Sequence, residues 1–498
     1  MSVFRKVNLK KNFPIVLILL LAIFLRFFNY SNRINVSLDQ GRDALIGWYS
    51  VQNHKAPLIG PPSSSWGFNF GPLYYYFIYL FELLIPHQFA PWIGFTILSI
   101  VSVYLIYKIG EHSQNKTFGI IAAIITAISF AEIENSANLL NTALVSFAVF
   151  LSFHSLSQVI YQKRIWAALL VGFGVGLAIN SHLQSMPIIS LIFITPCVYS
   201  GHLKDKLKIL MLVSLGLLAS LTPILYFESQ HHFAWIKSLI DYTLHGQQKF
   251  YTPVRWLTEF TRFWPGQFGR VIFGDSGMGL YVIVFLILGA VLTVVKKYTI
   301  PKVILIALIV FILEIFSVRY YKGPRSPEYF IFLHFFVIIF FSWSLSVFVR
   351  ANKIMGAISL LAIFSLVIVY SLPLMSQSSH AKATLEILGY VKRDIAVPVR
   401  LVMLPDSHEN AYSLYYFLLK AGLGSPDGRP LAVCDNHDSL EKHREVCLQT
   451  HRLFVADRFV LYDFSSFDKT DLTLYPPTTI SPEILYKRTY NNYELEKF

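Results

Sequence analysis

Three charged residues follow the first apolar run of the sequence, which covers residues 13–28. Asp39, Arg42 and Asp43, here called the Asp39 cluster, occur in the stretch SLDQGRDALIGWY. A carboxylate can accept a proton from a reacting group, and an arginine one helical turn away can orient it. The structural alternative is that Asp39 caps an ordinary helix running to about Val51, with Arg42 and Asp43 as a surface ion pair.

The composition indicates that the elements around this cluster span a membrane. Of 498 residues, 54% are apolar and 14% charged, whereas soluble domains carry about a quarter charged residues. Repeated apolar runs of spanning length predict a polytopic α-helical membrane protein. The net charge of +13 is typical of cytoplasmic anchoring loops in such a protein, so we expect membrane lipids and no nucleic acid as partners.

We predict about eleven spanning helices, interfacial helices on the outer face and a C-terminal domain. The spans are 13–30, 90–108, 117–133, 139–160, 165–181, 186–201, 208–226, 279–295, 302–318, 328–348 and 354–373. The run 71–86, GPLYYYFIYLFELLIP, is short for a span and bounded by prolines, which favours an interfacial helix. Within a transmembrane domain over 1–373, residues 31–89 and 227–278 form outer loops. Residues 374–498 alternate helical and strand-like patterns, which predicts an extracytoplasmic α/β domain.

The distribution of basic residues indicates which ends of the helices face the cytoplasm. Sixteen Lys and Arg residues lie in six short segments at predicted inner ends, whereas the outer loops 134–138 and 182–185 carry none. Counting 71–86 as a span would place most of these charges outside, against the positive-inside rule. We therefore expect a multi-pass plasma-membrane protein with a cytoplasmic N-terminus. The Asp39 cluster then lies at the outer boundary, with Ala44, Leu45 and Trp48 of its helix facing lipid.

Four stretches in order along the chain resemble one family. The Asp39 cluster with GPLYYY, EIENSANLLN (132–141), GLAINSHLQ (176–184) and TPILYFE (222–228) are similar to the GT-C-fold glycosyltransferases that use polyprenyl-phosphate sugars. The nearest pattern is that of protein O-mannosyltransferases and lipid A aminoarabinose transferases. The resemblance covers residues 10–230 by motif and 279–373 by hydropathy alone. It implies inverting transfer of a sugar from a polyprenyl phosphate to a hydroxyl of a protein, glycolipid or polysaccharide.

The resemblance also implies roles for the Asp39 cluster. Asp39 matches the family's main acid and is the predicted base, with Arg42 orienting it and Asp43 beside it. Family members commonly carry Asp-Glu where this chain has Asp39 and Gln40. An amide is a weaker ligand than a carboxylate for a hard cation, so the sequence leaves open whether a divalent cation takes part.

Polar residues at outer helix ends are the next candidates for substrate binding. His182 and Gln184 end a predicted helix where the family pattern places a histidine beside the cavity, and a solvated helix terminus is the alternative. Glu132 and Glu134 lie in an apolar stretch, and Glu228 lies in similar apolar surroundings. Ionisable residues in such surroundings are functional candidates by default.

A basic loop on the predicted outer side indicates a phosphate site. The stretch VRYYKGPRSPEY, 318–329, carries Arg319, Lys322 and Arg325, which break the positive-inside pattern. A lipid phosphate would explain them because arginine and lysine bind phosphate oxygens. Snorkelling to lipid headgroups is the alternative.

Two other function classes stay open beside the transferase. A transporter or flippase of lipid-linked glycans would show charged or broken helices near the membrane midplane, often in two matching halves. Here the charges gather at the outer boundary and no halves repeat, which favours the enzyme. A glycan polymerase or ligase is the other class, and only the family resemblance distinguishes it from the transferase.

Two cysteines of the predicted outer domain are thirteen positions apart. An oxidising compartment permits a disulfide between Cys434 and Cys447, which we predict. A zinc site with His437 and His443 is the second interpretation. Two unpaired cysteines in a solvated helix are the third.

Overall fold

A computed structural model describes the greater part of the chain. The described residues are 9–63, 68–245, 256–320, 325–376, 380–403, 411–435, 451–457, 459–465 and 478–489.

The described chain is mostly helical. Its helices are α1 (Leu9–Phe27), α2 (Leu38–Gln52), α3 (Leu73–Leu84), α4 (Ala90–Ser113), α5 (Lys116–Ile128), α6 (Phe130–Ser136), α7 (Asn141–Gln162), α8 (Ala167–Ser181), α9 (Leu191–Val198), α10 (Leu203–Gln230), α11 (Ala234–Leu244), α12 (Trp256–Thr258), α13 (Trp264–Phe273), α14 (Gly279–Val295), α15 (Lys302–Tyr320), α16 (Leu333–Ala351), α17 (Lys353–Ser376), α18 (His380–Tyr390), α19 (Ala411–Lys420) and α20 (Pro482–Arg488). Its strands are β1 (Val399–Met403), β2 (Arg429–Asp435), β3 (His451–Ala456), β4 (Phe459–Asp463) and β5 (Thr478–Thr479).

The apolar helices make the chain an integral membrane protein. Within the described ranges, six helices are long and apolar enough to cross a bilayer, namely α4, α7, α10, α14 with the turn before it, α16 and α17. Counting α5 and α6, which meet at an angle of 58°, as one broken span makes seven. The break falls at Ser129, whose backbone is not helical. An apolar helix occupies each predicted span, but helix lengths do not establish the number eleven.

Two short segments show why length alone undercounts the apolar helices. The 3₁₀ segment Leu183–Ser190 leads directly into α9. Each of these two segments contains a proline, which limits the length of regular α-helix there. The predicted interfacial run 71–86 forms α3, of 12 residues, which is too short to span.

The C-terminal region is a mixed sheet with helices, as the sequence pattern predicts. The strand order is β3-β4-β2-β1-β5, with β1 and β2 parallel and the other neighbours antiparallel. The strand-like stretch LFVADRFVLYDF, 453–464, contributes to both β3 and β4. Cys434 on β2 is disulfide-bonded and Cys197 is free. Cys447, His437 and His443 lie outside the described residues, so the pairing of Cys434 with Cys447 stays a prediction.

This C-terminal domain packs directly on the helix of the Asp39 cluster. Helices α19 and α20 both contact α2, and Ala44 and Leu45 on α2 are completely buried. The expectation that Ala44 and Leu45 face lipid is therefore wrong. Their face of the helix is covered by protein because α3, α19 and α20 all pack against α2.

Candidate functional site

A cavity of about 950 Å³ lies where the ends of several elements meet. It is bordered by the start of α2, the segment around residues 61–70, the start of α7, the connection from α8 to α9, and parts of α11 and α15. Five of the predicted site residues border it: Asp39, Arg42, Asp43, His182 and Gln184. The fold thus brings together residues that are more than 130 positions apart in sequence.

Arg42 holds both carboxylates of the Asp39 cluster. Its Nη1 donates to Asp39 Oδ1 over 2.7 Å and its Nε donates to Asp43 Oδ1 over 2.8 Å. Asp43 is buried and also accepts a hydrogen bond from the Tyr75 hydroxyl, at 2.9 Å. The Asp39 side chain, in contrast, is 55% exposed. Asp43 therefore anchors the arginine, while Asp39 remains accessible from the cavity.

Burial and charge act in opposite directions on this cluster. Burial works to lower the pKa of Arg42, but Asp43, Tyr75 and Asp39 hold that pKa well above its ordinary value. Burial raises the pKa of the Asp43 carboxyl, and the Arg42 charge opposes that rise. Arg42 consequently stays positive at physiological pH and keeps its hold on Asp39.

Asp39 does not occupy the N-cap position of its helix, and the side chain of Gln40 forms hydrogen bonds with neighbouring side chains. Asp39 lies in the first turn of α2, and Ser37 occupies the N-cap position. Gln40 is buried, accepts from the Ser37 hydroxyl and donates to Asn138 Oδ1 at 3.1 Å. Across the described part of the chain, no three His, Cys, Asp or Glu side chains are grouped to hold a metal ion.

His182 lies in a stack of three rings at the cavity. Its ring is stacked on Phe70 at 5.1 Å and on Tyr329 at 5.0 Å between centroids. Burial lowers the pKa of His182 to about 3. The imidazole is therefore neutral at physiological pH, and it offers an aromatic surface rather than a positive charge.

Glu132 and Glu134 do not border this cavity. Glu132 is buried and its Oε1 contacts His334 Nδ1 and accepts from the Ser146 hydroxyl, both at 2.7 Å. These bonds tie α6 to α7 and α16. Glu134 is exposed on the other side of α6. The structure thus supplies a packing role for Glu132.

Glu228 positions a wall of the cavity without bordering it. Its carboxylate accepts from the backbone N–H groups of Trp235, at 3.0 Å, and Ile236, at 3.2 Å. These are first-turn donors of α11, which a carboxylate satisfies well. Helix α11 in turn places Tyr242 and Leu239 at the cavity.

The predicted phosphate-binding arginines converge on one buried acid. Arg325 Nη2 donates to Glu259 Oε1 at 2.8 Å, and Arg319 Nε lies 3.8 Å from Glu259 Oε2. The Arg325 guanidinium also lies 5.1 Å from the ring centre of Phe263. Neither arginine borders the cavity itself, although Val318 does. Lys322 lies outside the described residues.

Sequence reasoning missed several residues of the site. Glu259, Phe70, Tyr329 and Thr142 carry no motif, and the ring stack joins three segments far apart in the chain. One signal was available for Glu259, because basic residues on the outer side call for a counter-charge as well as for a ligand. No pattern in the sequence indicates the ring stack.

Known proteins resemble this chain in sequence over one region and in fold over nearly all of it. Residues 69–227 match the family model of dolichyl-phosphate-mannose-protein mannosyltransferases. This range includes His182 and Gln184 but not Asp39. No curated protein sequence matches the chain significantly.

Two solved structures of ArnT from Cupriavidus metallidurans have a similar fold. The apo form gives a TM-score of 0.59 at 11% identity, covering 91% of this chain and 98% of that one. The form bound to undecaprenyl phosphate gives 0.58 at 12% identity, covering 92% and 99%.

The apo oligosaccharyltransferase of Archaeoglobus fulgidus gives a TM-score of 0.51 at 13% identity, covering 84% of this chain. The chain spans 60% of that protein's length. The fold is therefore that of the GT-C class of membrane glycosyltransferases, which confirms the resemblance drawn from the sequence motifs.

Proposed function

We propose that this protein is an integral-membrane inverting glycosyltransferase that moves a sugar from a polyprenyl phosphate to an acceptor hydroxyl on the outer membrane face. One observation carries the proposal: on a GT-C fold, the accessible carboxylate of Asp39 is held by Arg42, which the buried Asp43 anchors, and it opens on a cavity large enough for a sugar and its phosphate. The acceptor is a protein, a glycolipid or a polysaccharide, and membrane lipids surround the body.

Asp39 supplies the base in this proposal. As the acceptor oxygen attacks the sugar carbon, its proton passes to the Asp39 carboxylate. The new carbon–oxygen bond forms on one face while the bond from the sugar carbon to the phosphate oxygen breaks on the other, so the configuration inverts. The phosphate leaves with the electron pair of that bond. A positioned general base of this kind contributes about 10²–10⁴-fold to rate.

The cavity offers a path for the lipid chain toward the bilayer. Four apolar residues that border it are also between 37% and 49% exposed at the molecular surface. They are Met186 and Ile189 before α9 and Leu313 and Phe316 on α15. A polyprenyl chain leaving the cavity between these two elements would remain in apolar surroundings.

Arg319, Lys322 and Arg325 are proposed to stabilise the leaving phosphate. Two arginines of the described part of this group lie beside the single buried carboxylate of Glu259, which concentrates positive charge there. The first of these basic residues, Arg319, directly follows Val318, the last residue of α15 that lines the cavity. Positive charge at this position favours the phosphate anion more strongly as the sugar departs.

A transfer assay tests the proposal. Purified protein in lipid nanodiscs is incubated with radiolabelled polyprenyl-phosphate monosaccharides and with protein, glycolipid or polysaccharide acceptors. We expect label to move to one acceptor class with inverted linkage, and Asp39→Asn protein to be inactive in the same assay. Movement of intact lipid-linked sugar across the bilayer without transfer would instead identify a flippase.

A further inference from the structure

Helix α3 connects the Asp39 cluster with the C-terminal domain. Tyr75 and Glu82 are seven positions apart on α3, so after two helical turns they return to the same face of the helix. Both side chains are buried, and neither is among the described residues that border the cavity. Tyr75 forms a hydrogen bond with α2, and Glu82 forms hydrogen bonds with α19.

Tyr75 supports the cluster that holds the proposed base. Its hydroxyl donates to Asp43 Oδ1 at 2.9 Å, and Arg42 Nε donates to the same oxygen at 2.8 Å. Arg42 Nη1 in turn donates to Asp39 Oδ1 at 2.7 Å. Burial raises the pKa of the Asp43 carboxyl, and the Arg42 charge and the Tyr75 bond oppose that rise. Tyr75 therefore helps to keep Asp43 ionised and Arg42 in its place.

Glu82 fastens α3 to α19 of the C-terminal domain. The Tyr416 hydroxyl donates to Glu82 Oε1 at 2.5 Å, and Lys420 Nζ donates to Glu82 Oε2 at 2.9 Å. The Glu82 side chain is 2% exposed. Hydrogen bonds to an ionised group are roughly twice as strong as those between neutral groups, and a buried charge that loses its partner is strongly unfavourable. This contact therefore fixes the position of α3 relative to α19.

We propose that Tyr75 and Glu82 are positioning residues for the transfer reaction. Through Glu82, α19 holds α3 in place. Through Tyr75, α3 holds Asp43 and Arg42, and these residues hold the base Asp39. The inference rests on the proposed function and adds to it a task for the C-terminal domain.

The expected consequence is a change in rate rather than in donor affinity. The base must point at the acceptor proton, and a displacement of about 1 Å in a reacting group can cost about 10²-fold in rate. The donor phosphate is assigned above to the basic residues after α15, which neither Tyr75 nor Glu82 contacts. Loss of either contact should therefore lower kcat and leave the donor KM unchanged.

Tyr75→Phe tests the contact between α3 and α2. The variant keeps the ring and removes the hydroxyl, so kcat in the transfer assay should fall by about tenfold at constant donor KM. Tyr79→Phe is the matched control. Tyr79 lies one turn further along α3, is half-buried, and its hydroxyl forms no hydrogen bond with the described residues. The control should have normal kcat and KM.

Glu82→Gln combined with Lys420→Met tests the contact between α3 and α19. The two changes remove an ion pair without leaving a buried charge unpaired, and Tyr416 keeps an acceptor. We expect kcat to fall by roughly threefold at constant donor KM. The control is Lys108→Met with Glu111→Gln, which removes an ion pair of 2.6 Å within α4 and should leave kcat unchanged. Thermal unfolding shows whether each variant is folded at the assay temperature.

Combining Tyr75→Phe with the broken ion pair shows whether both contacts act on the same base. If they do, kcat should fall by clearly less than roughly 30-fold, the product of the separate losses. Losses that multiply would mean independent effects and would overturn the inference, as would a normal kcat for either variant or an equal change in kcat and KM. Absence of transfer by the unmodified protein would instead overturn the proposed function, and this inference with it.

Discussion

Two clusters of arginine and acid in the molecule have opposite balances of charge. In the Asp39 cluster one arginine serves two carboxylates, and one carboxylate remains 55% exposed. In the cluster formed by Glu259, Arg319 and Arg325, two arginines serve one carboxylate that is 1% exposed. The first has an accessible negative group in surplus and suits proton acceptance. The second has positive charge in surplus and suits an anion.

The difference shows that the ratio and exposure of charges carry more information than their presence. The sequence shows the first cluster as one arginine beside two acids and the second only as a basic loop, since Glu259 lies more than 50 positions away. A buried charge must be paired, because an uncompensated one is strongly unfavourable. In the Asp39 cluster the fold leaves Asp39 exposed, whereas in the Glu259 cluster two arginines lie beside one buried acid.

Removing the exposed acid should have the largest effect. Asp39→Asn should lower the transfer rate by at least about 10³-fold, near the upper range for a general base, without changing the melting temperature. The side chain is exposed and the Asn amide keeps its shape, so the fold loses little. Transfer assays with thermal unfolding measure both quantities. Turnover of the Asp39→Asn variant near the normal rate would show that Asp39 is not the base.

Neutralising the positive cluster should affect the donor instead. In a Glu259→Gln background, which avoids leaving a buried charge unpaired, replacing Arg319, Lys322 and Arg325 together by Gln should raise the donor KM by roughly 10–100-fold, through loss of charge-assisted bonds of about 1.5–3 kcal/mol. Steady-state kinetics with varied donor measure this. Arg350→Gln, which removes a basic residue at a predicted inner end, is the control and should leave KM unchanged. An unaltered KM in the triple variant would favour snorkelling to headgroups.

The two clusters should also differ in their dependence on the C-terminal domain. Gly41 lies between the residues of the Asp39 cluster, and a Cβ there would collide with the backbone nitrogen of Ser413 on α19. Gly41→Ala should therefore shift α2 against α19, destabilise the protein by about 1–3 kcal/mol and reduce kcat. Donor KM should stay constant because the Glu259 cluster lies elsewhere. Equal changes in kcat and KM would mean that the whole cavity had been disturbed.

A balanced pair in the C-terminal domain should give the smallest effect. Burial alone would raise the pKa of Asp463, but its bonds with Arg429 and Ser465 lower that pKa to about 2. A depressed carboxyl pKa stabilises the fold above the ordinary value of 3.8 and loses this contribution as the pH falls toward 2. Melting temperatures of the unmodified protein and Asp463→Asn should differ at pH 6 and converge as the pH falls below about 2. Transfer at neutral pH should be normal.

Some of the structure follows from local sequence alone. Apolar runs of sufficient length must form helices in a bilayer, since every backbone polar group needs an internal partner. The run 71–86 is bounded by prolines and is too short to span a bilayer, which predicts the short helix α3. The motifs around Asp39, His182 and Gln184 indicate one site, and the structure places these three residues at one cavity.

What covers each helix face was decided only by the tertiary structure. Periodicity shows that Ala44 and Leu45 share an apolar face, but protein and lipid are equally apolar, so it cannot tell that α19 rather than the bilayer lies there. The same holds for charges. The sequence shows Arg319 and Arg325, and only the fold brings Glu259 to them from more than 50 positions away. Long-range partners are set by packing, which no local pattern encodes.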